Sequence, residues 1–156
     1  RNLQLEVKDE DIKEGITKIK SIARLQEIKS GKLKNICKNN RLYLDGSHNP
    51  LGAKALNEYL NTLNCNKHLI LGMMSNKNHE EYISYFNDIS SITTIDVPNQ
   101  PNAITGEELK KKLNKYPNVN YKKSIEEALN SLNTDKDDLI MMTGSLYLAG
   151  ELLNRN

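Results

Sequence analysis

The residue types that could carry chemistry are concentrated in one short segment, Asp45-Gly46-Ser47-His48-Asn49-Pro50, which follows the apolar run Leu42–Leu44. Proline is favoured at the first position of a helix, so Pro50 predicts a helix start with Asn49 as its cap. The N-terminal end of a helix presents free N–H groups and a partial positive charge, which attract phosphates and carboxylates. The segment therefore predicts an anion-binding turn between a strand and a helix. A capped loop without a ligand is the alternative.

Four side chains are candidates for such a site. The Asp45 carboxylate suits a ribose hydroxyl or a cation, and the His48 imidazole suits a phosphate or a carboxylate. The Lys77 ammonium, after a second apolar run, can pair with the same anions or be a solvated lysine. Ser145 lies shortly after another apolar run, at the start of the last predicted helix, where a hydroxyl either binds an anion or caps that helix. We also expect Gly46 to allow a positive φ in the turn.

Strand-like and helix-like segments alternate from residue 42 to residue 153. This order predicts an α/β fold with a largely parallel sheet covered by helices on both faces. Right-handed crossovers place the carboxyl ends of the strands along one edge, where ligands bind in such sheets. The predicted strands are 42–44, 68–72, 92–97, 118–121 and 138–143, and the predicted helices are 51–63, 77–87, 105–116, 124–132 and 144–153.

Three further local predictions concern less regular parts of the sequence. Ile12, Ile16 and Ile19 are spaced as on a helix that starts near Asp9 or Asp11. Residues 25–28 alternate like a strand, and residues 33–37 would be the second strand of a hairpin after the turn 30–32. The apolar face of the helix 51–63 is predicted to comprise Leu51, Ala55, Leu56, Tyr59, Leu60 and Leu63.

The composition of the 156-residue chain limits its function. A net charge of +2 argues against nucleic-acid and membrane partners, and no apolar run is long enough to span a bilayer. Cys37 and Cys65 form no CxxC pair, which favours reduced thiols in a cytoplasmic protein, and the histidines lack metal-ligand spacing. The sequence has no phosphate-binding loop and does not begin with Met. We therefore interpret it as the binding part of a longer enzyme.

Three segments, in order, resemble the C-terminal domain of folylpolyglutamate synthase/dihydrofolate synthase, a member of the Mur ligase superfamily. They are the turn 45–50, the segment Ile70-Leu71-Gly72-Met73 with Lys77, and Thr143-Gly144-Ser145-Leu146-Tyr147. Ala23-Arg24-Leu25-Gln26 also resembles the Gly-Arg-Leu-Gln segment at the domain junction of that family. The resemblance covers roughly residues 12–153. It departs from the family at Ser21-Ile22, where Trp-Pro is frequent, and at Asn78, where Asp is common.

The resemblance implies a Rossmann-like, mostly parallel (mixed) sheet of the Mur ligase C-terminal type over residues 23–156. Residues 1–22 would then be a linker or helix remnant of a missing N-terminal ATPase domain, which would carry the phosphate loop and the Mg²⁺ ligands. The implied reaction is ATP-dependent addition of L-glutamate to a folate or dihydropteroate carboxylate through an acyl phosphate. Arg24 and Asp45 would contact ATP. His48, as the catalytic residue, would bind substrate together with Lys77 and Ser145.

Two alternatives remain at the level of sequence. The turn 45–50 also occurs in Mur ligases that act on peptidoglycan precursors, although the segment Gly144–Gly150 favours the folate branch. A non-catalytic module that binds a nucleotide or an amino acid would equally lack the phosphate loop.

Overall fold

The structure, a computed structural model, describes residues 7–18 and 21–156 and contains one six-stranded sheet. The strands are β1 Gln26–Ile28, β2 Arg41–Leu44, β3 Lys67–Leu71, β4 Ser91–Ile95, β5 Val119–Lys122 and β6 Leu139–Thr143. Their order in the sheet is β1-β2-β6-β3-β4-β5, with β1 antiparallel to β2 and every other neighbouring pair parallel. This mixed, mostly parallel sheet confirms the predicted fold class.

Helices cover both faces of the sheet. They are α1 Asp9–Lys18, α2 Lys32–Ile36, α3 Pro50–Leu60, α4 His79–Ser84, α5 Gly106–Lys112, α6 Ile125–Ser131 and α7 Leu146–Arg155. One core lies under α2, α6 and α7, and the other lies under α3, α4 and α5. Successive strand residues point to opposite faces, so Ile140 and Met142 enter the first core while Leu139 and Met141 enter the second.

The last strand, β6, lies between β2 and β3. The carboxyl ends of these three parallel strands are therefore neighbours at one edge of the sheet. The turn after β2 begins at Asp45, the loop after β3 begins at Gly72, and the junction after β6 begins at Gly144. The fold thus brings together the segments that carry the candidate site residues, as the sequence predicted.

The predicted hairpin at residues 33–37 is wrong, because this segment forms α2. Leu33, Ile36 and Cys37 have the spacing of a helical face, and Leu33 and Cys37 are buried in the core shared with α6 and α7. The strand β1 pairs with β2 instead, through the register Gln26↔Leu44.

The buried face of α3 also differs from the prediction. Leu51 is 81% exposed and Ala55 is exposed, whereas Ala53 and Asn57 are buried with Leu56 and Leu60. The cap at Asn49 fixes where the helix starts, and this start turns Leu51 outward at the edge of the sheet. The face predicted from periodicity alone is therefore rotated about the helix axis relative to the buried face of α3.

The other helices agree with the predictions within a few residues at their ends. Thr105 and Glu108 form a complete capping box at α5. At α6 Ser124 accepts the N–H of Glu127 at 3.1 Å, but the Glu127 carboxylate accepts the N–H of Lys123 at 3.2 Å. The predicted extension of α1 through residue 19 lies outside the described residues. Within those residues, no helix is long and apolar enough to cross a membrane.

Candidate functional site

The Asp45 carboxylate is a buried junction between two segments. One of its oxygens accepts the N–H of Ser47 at 2.8 Å, and the other accepts the N–H of Leu25 at 2.9 Å. The side chain is only 6% exposed, a burial that the sequence did not indicate. Each carboxylate oxygen can accept a further hydrogen bond. Asp45 therefore fixes the turn against the strand before it and can still face a ligand.

Gly46 is required for space and not for a positive φ, contrary to the expectation. Among the described glycines, only Gly31 and Gly144 have a positive φ. A Cβ at position 46 would collide with the Leu146 side chain, and it would lie 3.4 Å from the Ala23 carbonyl oxygen. The Gly46 N–H donates to that same carbonyl at 2.8 Å. The close approach of α7 to the turn thus explains this glycine.

His48 is held by its own turn. Its Nδ1 lies 3.0 Å from the Gly46 carbonyl oxygen, which can only accept, so Nδ1 carries the proton. In the neutral ring Nε2 is then the acceptor, and it has no hydrogen-bond partner within the described part of the chain. Nε2 of His48 is therefore free for a ligand.

Asn49, the next residue, caps α3 as predicted, because its side chain accepts the N–H of Gly52 at 2.9 Å.

The loop after β3 is fixed from two sides. Ser75 donates both its N–H and its hydroxyl to the Asn102 carbonyl, at 2.9 Å and 2.8 Å. The Nε2–H of His79 donates to the Met74 carbonyl at 2.9 Å. Burial lowers the pKa of His79, since the charged ring would lose its hydration, and nearby Lys112 lowers it further. The loop that carries Lys77 is thus anchored by a neutral histidine.

Asn78, at the position where Asp is common in the family that the sequence resembles, has a structural role. Its side-chain oxygen accepts the N–H of Glu81 at 3.2 Å, and its amide nitrogen donates to the Glu81 carboxylate at 2.7 Å. An aspartate could make the first bond but not the second, and it would face a like charge. Asparagine is therefore the better cap for α4 beside this glutamate.

Three of the predicted site residues line one cleft of about 560 Å³, which we call the larger cleft. His48, Lys77 and Ser145 reach it from the ends of three different strands. Ser145 is 2% exposed and also caps α7, because its hydroxyl accepts the N–H of Tyr147 at 3.1 Å. The remaining lining residues are Met74, Ser75, Asn76, Asn102, Leu146 and Tyr147.

The other two predicted residues lie elsewhere. Arg24 and Asp45 line a smaller cleft of about 240 Å³, together with Leu25, Ser47, Gly52, Ala55 and Leu56. Ala23 and Leu25 flank the exposed Arg24 with φ values of 56° and 44°, in the left-handed region that larger residues rarely adopt. The turn 45–48 separates the two clefts. The sequence predicted one continuous edge and did not indicate this division.

Sequence reasoning missed a cluster of buried hydroxyls beneath the site. Tyr82, a residue of α4, is fully buried, and its hydroxyl lies 3.0 Å from Ser47 Oγ and 2.8 Å from Thr143 Oγ1. Ser47 Oγ and Thr143 Oγ1 are 3.2 Å apart. The three hydroxyl residues lie in the turn after β2, in α4 and at the end of β6, and nothing in the sequence indicates that these places are in contact.

A second polar region lies at the opposite edge of the sheet. His68 Nδ1 is 2.8 Å from Ser91 Oγ, and its Nε2 is 3.3 Å from an Asp138 carboxylate oxygen. The same oxygen accepts the N–H of Asp135 at 2.7 Å. These groups satisfy one another. Within residues 7–18 and 21–156, no group of three or more His, Cys, Asp or Glu side chains could hold a metal ion.

Solved structures of folylpolyglutamate synthases share the fold of this chain. The folylpolyglutamate synthase of Mycobacterium tuberculosis complexed with ADP superposes with a TM-score of 0.79 at 17% identity, over 96% of this chain and 35% of that one. The Yersinia pestis bifunctional folylpolyglutamate synthase/dihydrofolate synthase, complexed with AMPPNP and Mn, gives 0.76 at 19% identity, over 97% and 35%. The Thermotoga maritima folylpolyglutamate synthase gives 0.73 at 25% identity, over 96% and 34%.

The chain spans about a third of the length of these solved neighbours. No curated protein matches it in sequence. The family model described as "Mur ligase, glutamate ligase domain" matches residues 24–146, which include all five predicted site residues. The chain therefore belongs to the Mur ligase family, as its C-terminal, glutamate ligase domain.

Proposed function

We propose that this chain forms the C-terminal domain, residues 23–156, of a cytoplasmic ATP-dependent ligase. The reaction joins L-glutamate to a carboxylate of folate or dihydropteroate through an acyl phosphate. Residues 1–22 then belong to the connection with an N-terminal ATPase domain. The observation that carries the proposal is the convergence of His48, Lys77 and Ser145 from three strand ends on one cleft.

The larger cleft suits the incoming amino acid. The Lys77 ammonium can pair with a carboxylate of glutamate, and no ion pair occupies it within the described residues. The Ser145 hydroxyl can donate to the same ligand while it accepts the N–H of Tyr147. With its proton on Nδ1, His48 presents Nε2 as a base that can take a proton from the attacking amine. Charge and polarity thus match an amino acid substrate.

The smaller cleft suits the nucleotide. Arg24 is exposed and has no ion-pair partner in the described part of the chain, so its guanidinium is available to a phosphate. The remaining lone pairs of Asp45 can accept ribose hydroxyls. The strained residues on either side of Arg24 fix its backbone direction. The turn 45–48 would then lie between ATP on one side and glutamate on the other.

Mg²⁺ accompanies ATP in the proposed reaction, and it would supply charge neutralisation on the phosphates. Its protein ligands would lie in the proposed N-terminal ATPase domain.

The test is a substrate comparison in the complete enzyme. ADP release and product mass are measured with ATP, L-glutamate and either dihydropteroate or tetrahydrofolate. A nucleotide-linked peptidoglycan precursor is offered in parallel. Glutamylated pteridine supports the proposal. Turnover of the peptidoglycan precursor alone, or nucleotide binding without any turnover, overturns it in favour of a Mur-type ligase or a binding module.

A matched pair of variants assigns the larger cleft. Lys77→Met keeps the length of the side chain and removes its charge, so KM for L-glutamate should rise while KM for ATP changes less. Lys54→Met on the exposed surface of α3 is the control. Equal KM values for glutamate in Lys77→Met and the wild type would contradict the assignment of the amino acid to this cleft.

A further inference from the structure

Three buried hydroxyl groups form a closed cluster between the site loops. Ser47 is 4% exposed, Tyr82 is 0% exposed and Thr143 is 1% exposed. Their oxygens are separated by 3.0 Å, 3.2 Å and 2.8 Å, so each hydroxyl contacts the other two. Ser47 belongs to the turn after β2, Tyr82 to α4 and Thr143 to the end of β6. The cluster therefore connects three elements that are distant in sequence.

The cluster also binds the backbone. The Ser47 carbonyl accepts the Tyr82 hydroxyl at 3.2 Å and the N–H of Gly144 at 3.0 Å. One cyclic set of donors serves all three hydroxyl pairs: Thr143 donates to Tyr82, Tyr82 to Ser47 Oγ, and Ser47 Oγ to Thr143. The Ser47 carbonyl is a second acceptor for the Tyr82 hydroxyl. Burial raises the pKa of Tyr82 to about 12, so its hydroxyl stays protonated and keeps donating at neutral pH. Among the described residues, no buried side-chain nitrogen or oxygen lacks a hydrogen-bond partner.

The connected elements are those that carry the polar residues of the larger cleft. His48 directly follows Ser47 in the turn, and Ser145 closely follows Thr143. Lys77 lies just before α4, whose first turns place Tyr82 in the core. None of the three hydroxyl residues lines the larger cleft itself. Any effect of the cluster on a ligand there must act through the positions of its neighbours.

We propose that Tyr82 is a positioning residue whose hydroxyl sets the spacing of the three polar residues of the larger cleft, and thereby its affinity for L-glutamate. The inference rests on the proposed function of that cleft. Of the three hydroxyl residues only Ser47 also lines the smaller cleft, and that cleft has a further support outside the cluster, the hydrogen bond between the Asp45 carboxylate and the Leu25 N–H. Loss of the Tyr82 hydroxyl should therefore affect glutamate more than ATP.

The first test is Tyr82→Phe in the complete enzyme, at a temperature where the variant is folded. KM for L-glutamate should rise roughly three- to tenfold, the range expected when the displaced residues of the larger cleft lose about one neutral hydrogen bond to the ligand. KM for ATP should stay within about twofold of the wild type, since ligand contacts there are unchanged. The control is Tyr85→Phe, because Tyr85 lies at the end of α4 and its hydroxyl has no hydrogen bond within the described residues.

A second pair separates the hydroxyl from packing. Thr143→Val keeps the shape of the side chain and removes the hydroxyl, whereas Thr143→Ser keeps the hydroxyl and removes a methyl group. A positioning role predicts a raised glutamate KM in Thr143→Val and a near-normal value in Thr143→Ser. A purely structural role predicts a near-normal glutamate KM in both variants when folded, with only their resistance to unfolding lowered.

A third measurement does not depend on activity. In the isolated 156-residue chain, Tyr82→Phe should shift the backbone amide resonances of Ser75, Lys77 and Tyr147, and Tyr85→Phe should not. If these amides stay unshifted, or if glutamate KM is unchanged in an active Tyr82→Phe enzyme, the inference is wrong. If the wild type forms no glutamylated product, the proposed function fails, and the amide shifts still decide whether the cluster positions the cleft.

Discussion

The Asp45 carboxylate joins the turn that carries His48 to the segment that carries Arg24, through a 2.9 Å hydrogen bond from the Leu25 N–H. A residue predicted to bind ATP is thus also a buried support of the fold. Its two roles are separable by experiment, because one depends on a ligand and the other does not.

We predict that Asp45→Asn lowers the free energy of unfolding by about 1–3 kcal/mol, because an amide NH₂ would face one of the two N–H groups that the carboxylate accepts. Chemical denaturation of the isolated chain measures this. The control is Asp137→Asn, an exposed position with φ 74° where asparagine is well tolerated. Equal stability of both variants would show that the carboxylate does not hold the segment.

The two histidines beside the larger cleft should be opposite tautomers when neutral. His48 donates from Nδ1 to the Gly46 carbonyl, and His79 donates from Nε2 to the Met74 carbonyl. Long-range ¹H–¹⁵N NMR spectra distinguish the protonated nitrogen in each ring. We also expect L-glutamate to shift Nε2 of His48 and leave His79 in place. The same tautomer in both rings would contradict the geometry of one of them.

The stability of the chain should depend on pH through His79. Because burial lowers the pKa of His79 below its unfolded value, the unfolded state binds more protons in this range. The stabilisation is therefore present above about pH 6.5, the unfolded pKa of histidine, and is lost as the pH falls through the folded pKa. Urea midpoints between neutral and mildly acidic pH measure the loss.

His79→Gln should flatten this pH dependence, whereas the control variant His48→Gln should keep it. His48 is only half-buried, so its removal leaves the burial of His79 intact. An equal slope in wild type and His79→Gln would assign the pH dependence to other groups.

Substitution by alanine should change the stability of the chain in opposite directions at two glycines, Gly144 after β6 and Gly150 in α7. Gly144→Ala should destabilise the chain strongly, because φ is 103° and the new Cβ would lie 2.8 Å from the Gly72 carbonyl oxygen. Gly150→Ala in α7 should stabilise it by about 0.5–1 kcal/mol, since nothing lies within 4 Å and alanine favours helix. Thermal unfolding of both variants gives the comparison, and shifts of the same sign would contradict it.

The two thiols should differ in their reaction with iodoacetamide. Cys37 is buried, and burial raises its pKa to about 11, so little reactive thiolate forms at neutral pH. Cys65 is half-buried beside the Arg41 guanidinium, whose Nη2 lies 3.1 Å from its sulfur. Peptide mass analysis should find Cys65 modified first and Cys37 only after unfolding. The reverse order would contradict the burial of Cys37.

The strand and helix order could be predicted because continuous apolar runs indicate strands that are buried on both faces, as at β3 and β6. The cap at Asn49 followed from its position before Pro50. The segment at Leu33 was misassigned because a run of five residues fits both a strand and one turn of helix. The hydroxyl cluster and the division into two clefts depend on distances between segments far apart in sequence, which no local pattern encodes.

The position of β6 between β2 and β3 has a consequence for how the chain acquires its structure. Both β2 and β3 pair with residues 139–143, which are synthesised well after either of these strands. Until then β2 and β3 lack the partner between them, and contacts that distant in sequence slow folding. Nascent chains shorter than this would expose unpaired strand edges and invite aggregation. The larger cleft should therefore be able to bind a ligand only after residues 139–143 have been synthesised.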